Sequence, residues 1–188
     1  MLRNSLRAAL LAVMVVVFVT ANTHAQTNAS VAVNASAKVM GNLSISKVAD
    51  VAFGDISATT AGAVALDPKG ATSAYVGSAA AAGEVQVTCD AGASVRLTWP
   101  TSITLSDGAS TPDLLTYTLN VYGYDGNGGQ SSSSQLSLSS GYTSVSPTGT
   151  TYTLWIGGSL GKLTSQVTGT YNSTNTGGSS ASFTVEYN

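Results

Sequence analysis

The chain has 188 residues, with seven Lys or Arg against nine Asp or Glu, a net charge of −2, one histidine and one cysteine. So weak and acidic a charge lacks the basic face that nucleic acid requires, and a single cysteine, Cys89, excludes a disulfide within the chain. The only histidine, His24, falls in an N-terminal segment read below as a leader. The remainder therefore has no imidazole to act as general base or metal ligand, and no cofactor or metal is expected.

Residues 1–25 have the pattern of a secretory signal: Arg3 and Arg7, an apolar run from Ala8 to Val19, and a small-residue exit at Thr23-His24-Ala25. The apolar run is about a dozen residues, short of the roughly 20 that span a bilayer, so an exported mature chain without membrane insertion is expected. Loss of Arg3 and Arg7 leaves five basic against nine acidic residues, a net charge of −4.

The next stretch, Ala29 to Val39, alternates. Ala29, Val31, Val33, Ala35, Ala37 and Val39 lie on one face, and Ser30, Ala32, Asn34, Ser36 and Lys38, nearly all polar, on the other. A strand with one small apolar face needs a narrow hydrophobic slot. We divide the chain into a signal (1–25), an N-terminal extension (26–41) and a β-sandwich domain (42–188).

Helix-forming residues are scarce after the leader, and no 3.6-residue period is sustained, so the fold class expected is all-β. Alternating runs separated by turn residues predict strands at Leu43–Val48, Val51–Phe53, Gly62–Leu66, Ala74–Gly77, Gly83–Cys89, Ser94–Trp99, Ile103–Leu105, Tyr117–Tyr122, Ser134–Leu138, Thr150–Ile156, Ser165–Tyr171 and Ala181–Tyr187. Asp67-Pro68-Lys69-Gly70, Asp107-Gly108 and Asn127-Gly128-Gly129 are the clearest turns between them. Cys89 sits in an alternating run as a small apolar core residue. The last strand repeats the logic of the first, with Ala181, Phe183, Val185 and Tyr187 on one face, which makes it a core element.

Three sets of residues invite chemistry. Asp125-Gly126-Asn127-Gly128-Gly129 begins like a calcium loop but lacks the third ligand and the later bidentate Glu. Asp107, Asp113 and Asp125 could be proposed as a glycosidase pair, yet all lie in turn contexts, and no enzyme activity is expected. Trp99, Trp155, Tyr117, Tyr122, Tyr124 and Tyr152 could stack on sugar rings, although most aromatics of a sandwich are core.

The small-residue strand, the run Leu43-Ser44-Ile45-Ser46-Lys47, the segment from Lys47 to Gly54 and the closing Phe183-Thr184-Val185-Glu186-Tyr187-Asn188 together resemble a family of bacterial exported Ala/Gly/Thr-rich domains. That family is similar to spore-coat-U-like proteins and to alpha-class fimbrial subunits of chaperone–usher systems. The resemblance implies an immunoglobulin-like sandwich lacking one strand, completed by a donor strand from the neighbouring subunit, with Val31, Val33, Ala35, Ala37 and Val39 as donor residues. It further implies a homopolymeric surface fibre, a periplasmic chaperone that pairs with the C-terminal strand through Ala181, Phe183, Val185 and Tyr187, and an outer-membrane usher. The alternative is a self-contained secreted sandwich, such as a sugar-binding module, in which the same extension folds back as its own first strand by reversing at Met40-Gly41-Asn42.

Overall fold

Two strands of 12 residues organise the fold: β6 (Leu114–Asp125) and β9 (Thr151–Lys162). They pair antiparallel over Thr118–Asp125 and Tyr152–Ser159, which sets Val121 opposite Ile156. The computed structural model describes residues 34, 36–37, 39–71 and 74–188, of which Val39–Asn188 form one compact unit. Against this pair the large sheet grows outward. On one side β3 (Gly83–Thr88) pairs with the first half of β9 and β2 (Ala63–Leu66) with its second half, while β1 (Ser44–Ala49) lies outside β3. On the other side β5 (Ser102–Ser106) and the two-residue β7 (Ser134–Gln135) pair with β6. The strand order is β1-β3-β9-β6-β5.

The second sheet has three strands in the order β10-β4-β8: β10 (Thr184–Tyr187), β4 (Val95–Thr98) and β8 (Thr143–Val145). All pairings between strands are antiparallel, and the one helical element among the described residues is a single 3-10 turn at Gln130–Ser132. Among those residues no helix is long and apolar enough to cross a membrane.

Alternation explains the main core. Val85, Val87, Val121, Tyr152, Leu154 and Ile156 from the large sheet meet Leu97 and Trp99, which lie on β4 and just beyond it. The three-stranded sheet is too narrow to cover a seven-stranded one. A second cluster of Phe53, Val64, Leu66, Leu115, Tyr117, Leu160 and Leu163 is therefore roofed by irregular segments that bring in Ile56, Val76 and Tyr171. Phe53 meets Tyr117 edge-on, with centroids 5.2 Å apart, and the buried Tyr117 hydroxyl donates to the Gly157 carbonyl at 2.7 Å.

β9 continues past the predicted end at Ile156 because Gly157 and Gly158 are sites of close approach. A Cβ at Gly157 would fall 2.3 Å from the Leu66 carbonyl oxygen, and one at Gly158, whose φ is 140°, 2.0 Å from that of Thr118. Val51–Phe53 shortens to one bridge, Ala52 to Ala81. Neither Ala74–Gly77 nor Ser165–Tyr171 forms a strand, whereas β8, which no alternation signalled, does. Cys89 is a free, buried thiol pushed up in pKa by burial, then by Asp90 and Asp125.

The segment read as a strand at Ser165–Tyr171 is held instead by one carboxylate. Asp113 accepts hydrogen bonds from the Val167 amide, the Gln166 side chain and the Tyr171 hydroxyl, the last at 2.5 Å. These donors, Tyr171 first, hold the Asp113 carboxyl below its usual pKa. Its contribution to stability is thus complete above about pH 4 and is lost as pH falls through the lowered value of the folded state. Desolvation, then the bond to Asp113, raises the Tyr171 hydroxyl to about 12. That contribution is complete below about pH 10 and is lost as pH rises through the folded value. Urea midpoints of the wild type and Tyr171→Phe should differ around neutral pH and converge at both extremes; a gap independent of pH would mean the hydroxyl acts by some other contact.

Candidate assembly edge

The two sheets end in four terminal strands, β1 and β5 in one and β10 and β8 in the other, and an edge strand carries unpaired backbone groups that can template another chain. Three of the four are blunted. The β5 edge is covered by the connection from β9 to β10: Ser106 and Asn172 exchange both backbone hydrogen bonds, and the Ser179 amide donates to the Thr104 carbonyl. Ser106 reinforces this cover, since its buried hydroxyl donates to the Thr176 carbonyl at 2.6 Å and its carbonyl accepts from the Asn175 side chain at 2.7 Å. The β8 edge is only three residues long and runs into the buried Pro147.

The β1 edge is blunted by charge and irregularity. Lys47 stands opposite Val85, on the face that its neighbour Ile45 turns to the core, and the register shifts between Lys47 and Ala49. An inward-parity lysine beside a bulge discourages a further strand. Lys47 is also paired with Asp50 at 2.9 Å.

The β10 edge is four residues long and carries the exposed Glu186, paired with Arg96, but among the described residues it has neither a covering segment nor an inward-parity charge. Among the described residues β10 pairs with β4 alone. Its core-side residues Phe183, Val185 and Tyr187 are each only half-buried, while Thr184 and Glu186 are exposed. Phe183 stacks on the buried Trp99 with centroids 6.1 Å apart and 21° between planes. Val185 packs on the main cluster, as does Ile45 of β1, the strand that comes nearest β10 across the sandwich. The outcome is an apolar margin bounded by β1 and β10.

Phe183, Val185 and Tyr187 alternate with exposed residues and stand at the rim of the core rather than within it. Ala181 precedes the strand and is half-buried. Of the proposed donor residues, Val31, Val33 and Ala35 lie outside the described residues; Ala37 is exposed, and Val39 is 92% exposed and in no strand.

The other candidate chemistry is dispersed. The Asp125 carboxylate is taken up by the amide and hydroxyl of Thr148, and these bonds lower its pKa. Asp113 is lowered likewise, the opposite of the shift a general acid needs. Asp107 accepts from the amides of Ala109 and Asp113. No group of three His, Cys, Asp or Glu among the described residues is arranged to hold a metal. Trp99, Tyr117 and Tyr152 are buried. The loop from Gly126 to Gly129 folds back over the outer face of the large sheet, where the Trp155 indole donates to the Gly128 carbonyl at 3.0 Å and Gly129 presses against the Tyr124 ring. The signal that could have found the assembly edge was comparative: Lys47 interrupts the apolar face of the first strand, and nothing equivalent interrupts the last.

Phe183→Ala should cost about 2 kcal/mol, below the range for a fully buried Phe, and should shift tryptophan emission to the red as Trp99 loses its cover. Thr184→Ala, on the exposed face, should change neither; equal effects would place the ring contact outside the energetics of this edge.

No curated protein matches the chain in sequence. A family described as a domain of unknown function, DUF4402, matches residues 43–177, a span that runs from just before β1 to beyond the end of β9. With most of its length matched, the chain belongs to the DUF4402 family.

Proposed function

We propose that this protein is a non-catalytic structural subunit of an extracellular fibre of the pilus or fimbria type, exported through the periplasm and polymerised by donor-strand exchange. The observation that carries the reading is the β10 edge, which no segment covers among the described residues, beside a β5 edge that is covered and a β1 edge that carries Lys47 on its inward face. Strand order supports it. An immunoglobulin sandwich orders its strands A-B-E-D in one sheet and C-F-G in the other. On this reading β1-β3-β9-β6, in an order that goes on to β5, stands for A-B-E-D, and β4-β10, with β8 on the far side of β4, for C-F. The edge without a strand is the one that G would fill.

The extension from Ala29 to Val39 has the composition for that place, because its small apolar face suits a slot rimmed by Ile45, Phe183 and Val185. The resemblance to alpha-class fimbrial and spore-coat-U-like subunits adds a periplasmic chaperone, which would cover the β10 edge before assembly, and an outer-membrane usher. The subunits of the fibre are further copies of this chain, and neither nucleic acid nor a cofactor has a part in it.

Purified mature protein should give a ladder on a denaturing gel without boiling, collapse to one band on boiling, and form thin fibres in negative stain. Val33→Asp puts an unpaired carboxylate in an apolar slot at a cost of several kcal/mol and should abolish the ladder, as should deletion of Ala29–Val39, whereas Ser30→Asp should preserve it. Fibres of normal length from the deletion would overturn the proposal.

A further inference from the structure

The outer face of the large sheet carries a hollow that the assembly edge does not use. Along β6, Thr118, Asn120 and Tyr122 alternate with the core residues Leu119 and Val121 and so turn away from the three-stranded sheet. The register of the neighbouring strands sets Gln135 opposite Tyr122 and Ser159 opposite Thr118. The turn that follows β2 walls this group on one side. It is closed by the bond from the Gly70 amide to the Asp67 carbonyl, it buries Pro68, and Gln130 donates to the Pro68 carbonyl at 2.9 Å. Gly157, which has no side chain to intervene, lets the Leu66 carbonyl and Pro68 settle on β9. The result is an open cavity of about 550 Å³ lined by Asp67, Thr118, Asn120, Tyr122, Gln135 and Ser159 among others.

The polar groups in it are half used. Gln135 Nε2 donates to Asn120 Oδ1 at 3.1 Å, and among the described residues Asn120 Nδ2 and Gln135 Oε1 have no protein partner. The amide pair thus holds out a donor beside an acceptor. The Ser159 hydroxyl accepts from the Gly161 amide at 3.0 Å and keeps its own hydrogen to give. Tyr122 adds a half-buried aromatic ring, with the Lys69 ammonium 5.6 Å from its centroid.

This chemistry selects a class of ligand. The volume is that of a small-molecule site, and Asp67 and Lys69 bring opposite charges, so neither an anion nor a cation is called for. A wholly apolar ligand would cover the two amides without pairing them. A pyranose has what the hollow lacks, an apolar ring face and a rim of hydroxyls that each donate and accept. We infer that the hollow is a binding site for a neutral saccharide, with one pyranose ring against Tyr122 and two adjacent hydroxyls on Asn120 Nδ2 and Gln135 Oε1. Strand donation neither requires nor blocks such a site, because β10 belongs to the other sheet.

The test uses the full mature chain on an array of neutral oligosaccharides of glucose, galactose, mannose and N-acetylhexosamines, with sialylated ones as their charged counterparts, followed by competition with the free neutral oligosaccharides. Neutral members should bind, and the same sugars free in solution should compete. Asn120→Ala and Gln135→Ala should each weaken binding about tenfold, as expected for loss of one hydrogen bond. Gln135 is exposed, so its truncation should leave the melting temperature at the wild-type value and separates loss of binding from loss of fold. Tyr122→Ala should abolish binding and Tyr122→Phe, which keeps the ring, should retain it, while Thr184→Ala on the β10 edge should change nothing. A blank array, responses confined to sialylated members, or neutral binding that is equal in the wild type and in the Asn120, Gln135 and Tyr122 alanine variants would each overturn the site. None of these results bears on the fibre ladder, so strand donation stands or falls separately.

Discussion

The pairing of β6 with β9 is the constraint on which the rest of the molecule depends. Every other strand of the large sheet attaches to one member of this pair or to a strand that does. Its register, Val121 against Ile156 and Gly123 against Leu154, decides which face of each strand meets the second sheet. Slipping it by one residue would turn Tyr152, Leu154 and Ile156 outward together. Two glycines, at 157 and 158, let the pair continue where the Leu66 and Thr118 carbonyls crowd against it.

A wide sheet faced by a narrow one has consequences at both ends. At one end the uncovered apolar surface is closed by loops carrying Phe53 and Leu163, and the long connection after β9 is drawn over the sheet by Asp113 and Ser106. At the other side the narrow sheet stops at β10. On the proposed reading the molecule spends its irregular chain protecting one edge and leaves another available.

Much of this was legible in the sequence, for a physical reason. Strands with one face on the core alternate cleanly, and β1, β2, β3, β4 and the centre of β6 fall within a residue or two of where alternation puts them. The misses have causes as specific. Gly157-Gly158 reads as punctuation because sequence cannot distinguish a glycine that ends a strand from one that lets two backbones touch. Ser165–Tyr171 alternates weakly, but its backbone answers to Asp113, a residue more than fifty positions away. The apolar face of the last strand was visible; its position at the rim was not, since that depends on the width of the sheet opposite. The aromatic residues gave no hint that a glycine loop would fold over Trp155.

The connection that covers the β5 edge also sets how far along the chain the last strand lies from its partner. β10 finds its partner across ninety residues, as the contact between Arg96 and Glu186 measures, and the irregular passage before it is held by Ser106 on β5 and by Asp113 just before β6. Contacts so distant in sequence are made slowly, because loop closure is paid before pairing returns anything. The half-finished domain therefore spends its early life with the inner face of β4 and Trp99 uncovered. A chain in that state is open to aggregation, or to whatever reaches it first.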